Sequence, residues 1–296
     1  VLFLGTTVLG ATNRFDLGFF SFQPGDMARL ILVIVLAKYF TRRHVEIAHL
    51  RHIVVSGLYT FIFCILLFLE PDFGSAVILA CIWFGMLLAA GISRKHILII
   101  AVLGITAIGG LWMFAFQDYQ KARIVSFLNP LADIQGAGYN AYQSTIAVGS
   151  GGVLGKGIGY GSQSKLEFLP EYETDFIFAA FAEEWGLAGV LLLFLLFGIL
   201  FWRLIVHARL GTTNFETLVM VGVLFWFFAQ FTLHVGMNMG MLPVTGTTMP
   251  FLSYGGSHLI TEYLAIGIVL AMSRYRRTLT NEEADREIEG APPLLE

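Results

Sequence analysis

The chain has 296 residues, of which 56% are apolar and only 13% charged, with 27 phenylalanines and a formal net charge of −3. A water-soluble domain carries about a quarter charged residues, so water is excluded as the solvent for most of this surface and membrane lipid is the expected surrounding. The small negative charge offers nothing to nucleic acid, and Cys64 and Cys81 fall inside apolar runs, which implies no disulfide framework.

In chain order, residues 1–10 read as the end of an interrupted apolar segment. With Val1 where a start methionine would stand, they imply an N-terminal truncation and not a signal peptide. Complete candidate spans follow at 26–41, 53–69, 73–92, 96–116, 175–206, 215–237 and 257–273, each near the roughly 20 residues that cross a hydrocarbon core. Runs this apolar are read as helices because an unsatisfied peptide group is costly in lipid. The expected fold class is all-α, a polytopic transmembrane helix bundle. Arg42, Arg43 and Arg51, then Arg94 and Lys95, then Arg203 and Arg209, then Arg274, Arg276 and Arg277 sit on alternate connections. That pattern predicts that these connections and the C-terminus are cytoplasmic.

The opposite, extracytoplasmic side then receives 11–25, 70–72, 117–174 and 238–256. The connection 117–174 is longer than ordinary loops and rich in aromatic and aliphatic residues, which predicts an ordered, partly re-entrant and functional segment. Residues 1–277 are read as the membrane domain, and 278–296, with their acidic run and Pro292-Pro293, as a disordered cytoplasmic tail.

Glu167, Glu171, Glu173 and Asp175 crowd the mouth of the span that starts at 175. Carboxylates packed at a low-dielectric boundary raise one another's pKa, which moves an Asp toward a usable base. The plainer role is that Thr174 or Asp175 caps the following helix. Glu183 would stand roughly 12 Å further along the same helix face. Inside a span, Glu183 and Glu184 are either functional or paired with a basic group on another span for bundle stability. Lys121, Arg123, Lys156 and Lys165 on the same side suit a diphosphate, whose charge grows as a sugar–phosphate bond breaks, although scattered loop cations are also ordinary surface. The glycine run 149–159 is not a Walker A loop, since Ser150 and Gly157 stand where Gly and Ser or Thr belong, and spacing alone reads it as a flexible turn.

Several segments on the expected outer side resemble the SEDS (RodA/FtsW) family, and the RodA branch more than FtsW. They are Phe22-Gln-Pro-Gly-Asp, Glu70-Pro-Asp-Phe-Gly-Ser, Asp118-Tyr-Gln-Lys-Ala-Arg-Ile with Phe127-Leu-Asn-Pro, Gly138-Tyr-Asn-Ala-Tyr-Gln-Ser, Phe168 to Phe178 with Glu183-Glu184, and Leu242-Pro-Val-Thr-Gly through Ser257. The family has about ten spans, so the resemblance implies that this chain holds seven and the stub of another. It further implies a peptidoglycan glycosyltransferase that joins lipid II disaccharides with release of undecaprenyl diphosphate, beside a class B penicillin-binding protein in the bacterial inner membrane. By position Asp175 matches the family's essential aspartate and Glu167 a second acid of the same cavity; Gln143, Ser144 and Glu171 are carried with the four cations as substrate-binding candidates. The sequence departs from the family at Asn13-Arg14, Gly25-Asp26, Glu70 and His258, where Arg-Trp, Ser-Glu, Gln and a small residue are usual.

The reaction implied is attack of an acceptor 4-hydroxyl on C1 of a lipid-linked sugar, with Asp175 as the base. A divalent cation, Mg or Mn, could clamp the diphosphate, but no compact ligand motif is present and no other cofactor is expected. The competing reading of the same composition is a transporter (flippase) of a lipid-linked precursor, for which acids inside spans such as Glu183 and Glu262 speak.

Overall fold

The computed structural model describes residues 6–8, 11–16, 21–42, 50–70, 72–129, 138–166 and 168–289. Seven long helices dominate among them: α1 (Pro24–Thr41), α2 (Leu50–Leu69), α3 (Phe73–Ala89), α4 (Arg94–Phe114), α8 (Ile177–Arg209), α9 (Asn214–Asn238) and α10 (Gly256–Glu289). Shorter helices α5 (Asp118–Leu128), α6 (Tyr139–Ser150) and α7 (Ser162–Lys165) lie in the connection between α4 and α8. The long helices fall on the expected spans, and the chain is a multi-pass membrane protein. Five of them, α2, α4, α8, α9 and Gly256–Arg274 of α10, are long and apolar enough to cross a membrane; α3, with 17 residues, is shorter. α1 is not among the five because it carries Asp26, Arg29 and Lys38 in 18 residues.

Two ends differ from expectation. Residues 6–8 do not continue an apolar helix. They form β1 (Thr6–Val8), paired antiparallel with β2 (Ala11–Asp16), which pairs in turn with β3 (Ser21–Phe22); β-branched Thr6, Thr7 and Val8 suit a strand. At the other end α10 runs on to Glu289, through the residues read as a disordered tail, because Glu, Ala and Arg there are strong helix formers.

Local chemistry sets the helix starts. Pro24 opens α1, where its missing N–H is not needed. Asp72 caps α3 by accepting from Ser75 N at 2.9 Å, Thr213 caps α9 by accepting from Glu216 N at 3.2 Å, and Gln117 and Gln120 make a reciprocal box at the start of α5. The core is a three-helix seam of α1, α3 and α9, with Leu32, Val33, Leu36, Ile78, Ile82, Met86, Val223, Trp226 and Phe227 fully buried. Gly222 of α9 lets the three helices approach: a Cβ there would stand 2.6 Å from Val33 and 2.9 Å from the Met86 sulfur. α9 is central, with 61% of its apolar window buried, whereas none of that of α4 is, so α4 turns its residues outward as a lipid-facing helix does.

Helix ends at one pole of the bundle are tied by polar bonds. Gln23 N donates to Ser257 Oγ (3.0 Å) and Gln23 Nε2 to Asp72 Oδ2 (3.4 Å). Beneath them Arg29 holds Asp26 at 3.5 Å and donates to Ser75 Oγ at 2.6 Å, all three side chains buried. Thr245 and Thr247 reach this pole as well, since a Cβ on Gly74 at the start of α3 would meet both.

Candidate functional site

Asp175 sits in a tight turn ahead of α8. Thr174 N and Phe176 N both donate to the Glu171 carbonyl at 3.1 Å, and Thr174 Oγ1 donates to Glu171 Oε2 at 2.9 Å. Glu171 closes this turn with φ of 56°, a left-handed conformation uncommon for a non-glycine residue. The N-cap of α8 is Phe176, whose own side chain makes no capping bond, and the Thr174 hydroxyl turns back to Glu171 instead of to the helix. The turn projects Asp175 before the first helical residue.

Two elements grip this turn. From α9, Asn238 Nδ2 donates to the Asp175 carbonyl at 3.1 Å and to the His234 carbonyl at 2.8 Å, while its Oδ1 accepts from Ala179 N at 3.2 Å. Ser144 of α6 donates to the Asn238 carbonyl at 2.8 Å. From the loop between α9 and α10, Ser253 Oγ donates to the Thr174 carbonyl at 2.7 Å and Tyr254 N to the Glu173 carbonyl at 2.8 Å. The Asp175 carboxylate lies over Gly246, where a Cβ would stand 3.3 Å from Oδ2, and the φ of +69° there favours glycine.

Gly246 continues from Pro243, Val244 and Thr245, which form one wall of a shallow open cleft whose other walls are Phe73, Phe116, Tyr119, Gln120, Arg123 and Ile124. Arg123 therefore lines the cleft whose wall runs to Asp175. Its guanidinium lies 5.7 Å from the Tyr119 ring centre, and Lys121 is half-buried on the same short helix α5. Near the same pole Glu70 is nearly buried, and burial, reinforced by the Asp72 charge, holds its carboxyl above the usual range.

Other candidates are occupied elsewhere. Glu183 is wholly buried and receives Lys156 Nζ at 2.6 Å, Ser162 N and Oγ at 3.0 Å and Gln163 N at 3.1 Å. It pairs with a base, but one supplied by the loop and not by another span, where the sequence reading expected it. Lys156 is thereby a tether of the glycine run. Ser144, wholly buried, props Asn238. Gln143 is half-buried beside it, Glu171 shapes the turn, and Lys165 is exposed with its ammonium 5.6 Å from the Tyr160 ring centre. Glu167 lies outside the described residues. Among the described residues no group of three His, Cys, Asp or Glu side chains could hold a metal.

The glycine run is not a free turn. α8 breaks at Gly186, which has φ of 63° and ψ of −166°, and the run docks into the break with its backbone. Lys156 N and Gly157 N donate to the Glu183 and Glu184 carbonyls at 3.0 Å; Leu187 N and Ala188 N return bonds to Gly152 and Val153 at 2.9 and 3.0 Å. Side chains would forbid this: a Cβ on Gly151 or Gly155 would collide with the carbonyls of Ala182 or Glu184. A helix break in an apolar span needs such partners.

Sequence reasoning missed Asn238. The signal was available: Trp226, Gln230, His234 and Asn238 recur every four residues and so share one face of α9, and all four are fully buried.

Comparison with known proteins agrees with this architecture. The chain is 38% identical over 276 residues to the peptidoglycan glycosyltransferase MrdB of Escherichia coli K12, covering 93% of this chain and 74% of that protein. Its fold is similar to a chain of a peptidoglycan synthase complex that coordinates polymerization and crosslinking (TM-score 0.77, 30% identity, 93% of this chain and 76% of that one). It is also similar to the rod shape determining protein RodA of Thermus thermophilus (TM-score 0.66, 30% identity, 93% and 73%). The family profile FtsW/RodA/SpoVE, described as a cell cycle protein, matches residues 1–278, and the chain belongs to that family.

Proposed function

We propose that this chain, a peptidoglycan glycosyltransferase, polymerises lipid II with Asp175 as the general base. The acceptor 4-hydroxyl attacks C1 of the lipid-linked sugar, its proton passes to the Asp175 carboxylate, and the C1–O bond to undecaprenyl diphosphate breaks with inversion. The observation that carries this reading is the placement of Asp175. Its turn is clamped by Asn238, Ser253 and Tyr254, and its carboxylate lies over Gly246, at the end of the wall that the Arg123 cleft shares. A base so held needs little reorganisation at the moment of transfer. Arg123 and Lys121 receive the leaving diphosphate, whose growing charge they neutralise. Asn238, Ser144 and Lys156 serve by positioning.

The enzyme lies in the bacterial inner membrane with the 117–174 connection and the cleft facing outward and the C-terminus in the cytoplasm, as the alternation of basic connections supports. Its partner is a class B penicillin-binding protein that cross-links the strands, supported by the likeness to a complex that does both. Purified protein supplied with lipid II in detergent tests the activity. Glycan polymer is expected; movement of lipid II across a vesicle membrane without polymer would transfer the protein to the transporters.

A further inference from the structure

The loop that grips the Asp175 turn is itself held from inside the bundle, by a carboxylate the reaction does not use. Glu262, on the second turn of α10, is fully buried among α1, α9 and the loop. Its Oε2 accepts from Phe251 N at 2.8 Å, and its Oε1 from Gln230 Nε2 at 3.0 Å. Phe251 has φ of 60° without being glycine, a conformation that persists only where its surroundings determine it. From Phe251 the loop runs two residues to Ser253, whose hydroxyl accepts from Met249 N at 2.7 Å and donates to the Thr174 carbonyl beside Asp175.

The direction of every bond in this chain is determined. The indole N–H of Trp226 can only donate, so the atom of Gln230 it meets at 2.8 Å is the amide oxygen. The amide nitrogen then faces Thr248 Oγ1 and Glu262, both at 3.0 Å. Position 262 therefore meets an N–H on each side and must accept with both atoms. Glutamine, of the same size, would present its NH2 to one of the two donors.

We infer that Glu262 is a positioning residue for transfer: a two-sided hydrogen-bond acceptor that fixes the 247–254 loop and, through Ser253, the geometry of Asp175. The inference rests on Asp175 as the base and adds a residue remote from substrate that sets turnover. Because the requirement is for acceptors, exchanging the two side chains satisfies it again. In Gln230→Glu/Glu262→Gln, Trp226 donates to Glu at 230, the amide at 262 donates to the same carboxylate, and its oxygen accepts from Phe251 N.

The test is steady-state polymerisation of lipid II by the full chain, with hydrogen–deuterium exchange on the same samples. Glu262→Gln is expected to lower kcat about tenfold with KM within about twofold, since small misplacement of a catalytic group acts on turnover. It should also raise exchange in both 247–254 and 171–176. The double exchange variant should recover most of the lost kcat, which a role in packing alone would not produce. Wild-type kcat in Glu262→Gln overturns the inference. So does a double variant that folds with the wild-type unfolding midpoint yet stays as slow as Glu262→Gln. Should Glu262→Gln fail to fold, Glu262→Asp, which keeps both acceptors but retracts them, must show the same paired rise in exchange; exchange confined to α10 overturns the inference. Asp175→Asn is run alongside: if it polymerises normally the base is misassigned, while the exchange at 171–176 still decides whether Glu262 holds that turn.

Discussion

Lys156→Met separates a structural tether from a substrate-binding cation. The Glu183 side chain is 0% exposed and that of Lys156 32%, with 2.6 Å between their charges. Removing one member of a buried pair costs about 3–5 kcal/mol. Here Lys156 is partly solvated and Glu183 keeps Ser162 N, Ser162 Oγ and Gln163 N; these discount the loss to about 2–3 kcal/mol. For a chain of this size that lowers the apparent unfolding midpoint by about 3–5 °C. Thermal unfolding in detergent, at one fixed heating rate, reads it. Glu183→Gln/Lys156→Met, which removes both charges, should regain at least half the loss. A Lys156→Met protein with the wild-type midpoint but a raised KM for lipid II would refute the tether and return Lys156 to the substrate.

Three further outcomes follow from the geometry. Gly155→Ala, which drives a Cβ into the Glu184 carbonyl at φ of +78°, should lower the midpoint more than Gly152→Ala, which meets open space and carries only the strain of φ at +56°; equal shifts would contradict the docked loop. Glu70→Gln should raise the midpoint at pH 7.5. The raised carboxyl binds its proton more tightly in the folded state, so stability falls as pH rises above the ordinary value of 4.5, and the gain from Gln should vanish as pH drops below it. Arg123→Ala should raise KM for lipid II about tenfold, as loss of a charge-assisted contact does, and the gap from wild type should narrow as salt rises; a gap that salt leaves unchanged would speak against a diphosphate contact.

Much of the fold was legible because lipid imposes it. Apolar runs the length of a membrane must be helices, and the seven long helices fall on those runs. What the sequence hid was polar and local. The run at 149–159 is flexible by composition, yet its glycines exist for close approach, since only a bare backbone reaches the carbonyls exposed where α8 breaks at Gly186. From its stretch alone Asp175 read first as a cap, because its turn depends on Glu171 adopting a positive φ, which no spacing rule foretells. Asn238 was readable in principle from the four-residue polar stripe on α9. Its bond to the Asp175 carbonyl was not, since 63 residues separate the two.

The most direct measurement is polymer formation from purified lipid II by Asp175→Asn beside the wild type, with thermal unfolding as the control. The amide nearly matches the carboxylate in shape and can serve at a helix start as Asp does, so folding should be nearly intact. Loss of a positioned base should lower turnover by about 100-fold or more while lipid II still binds. Wild-type polymerisation by Asp175→Asn would contradict the account.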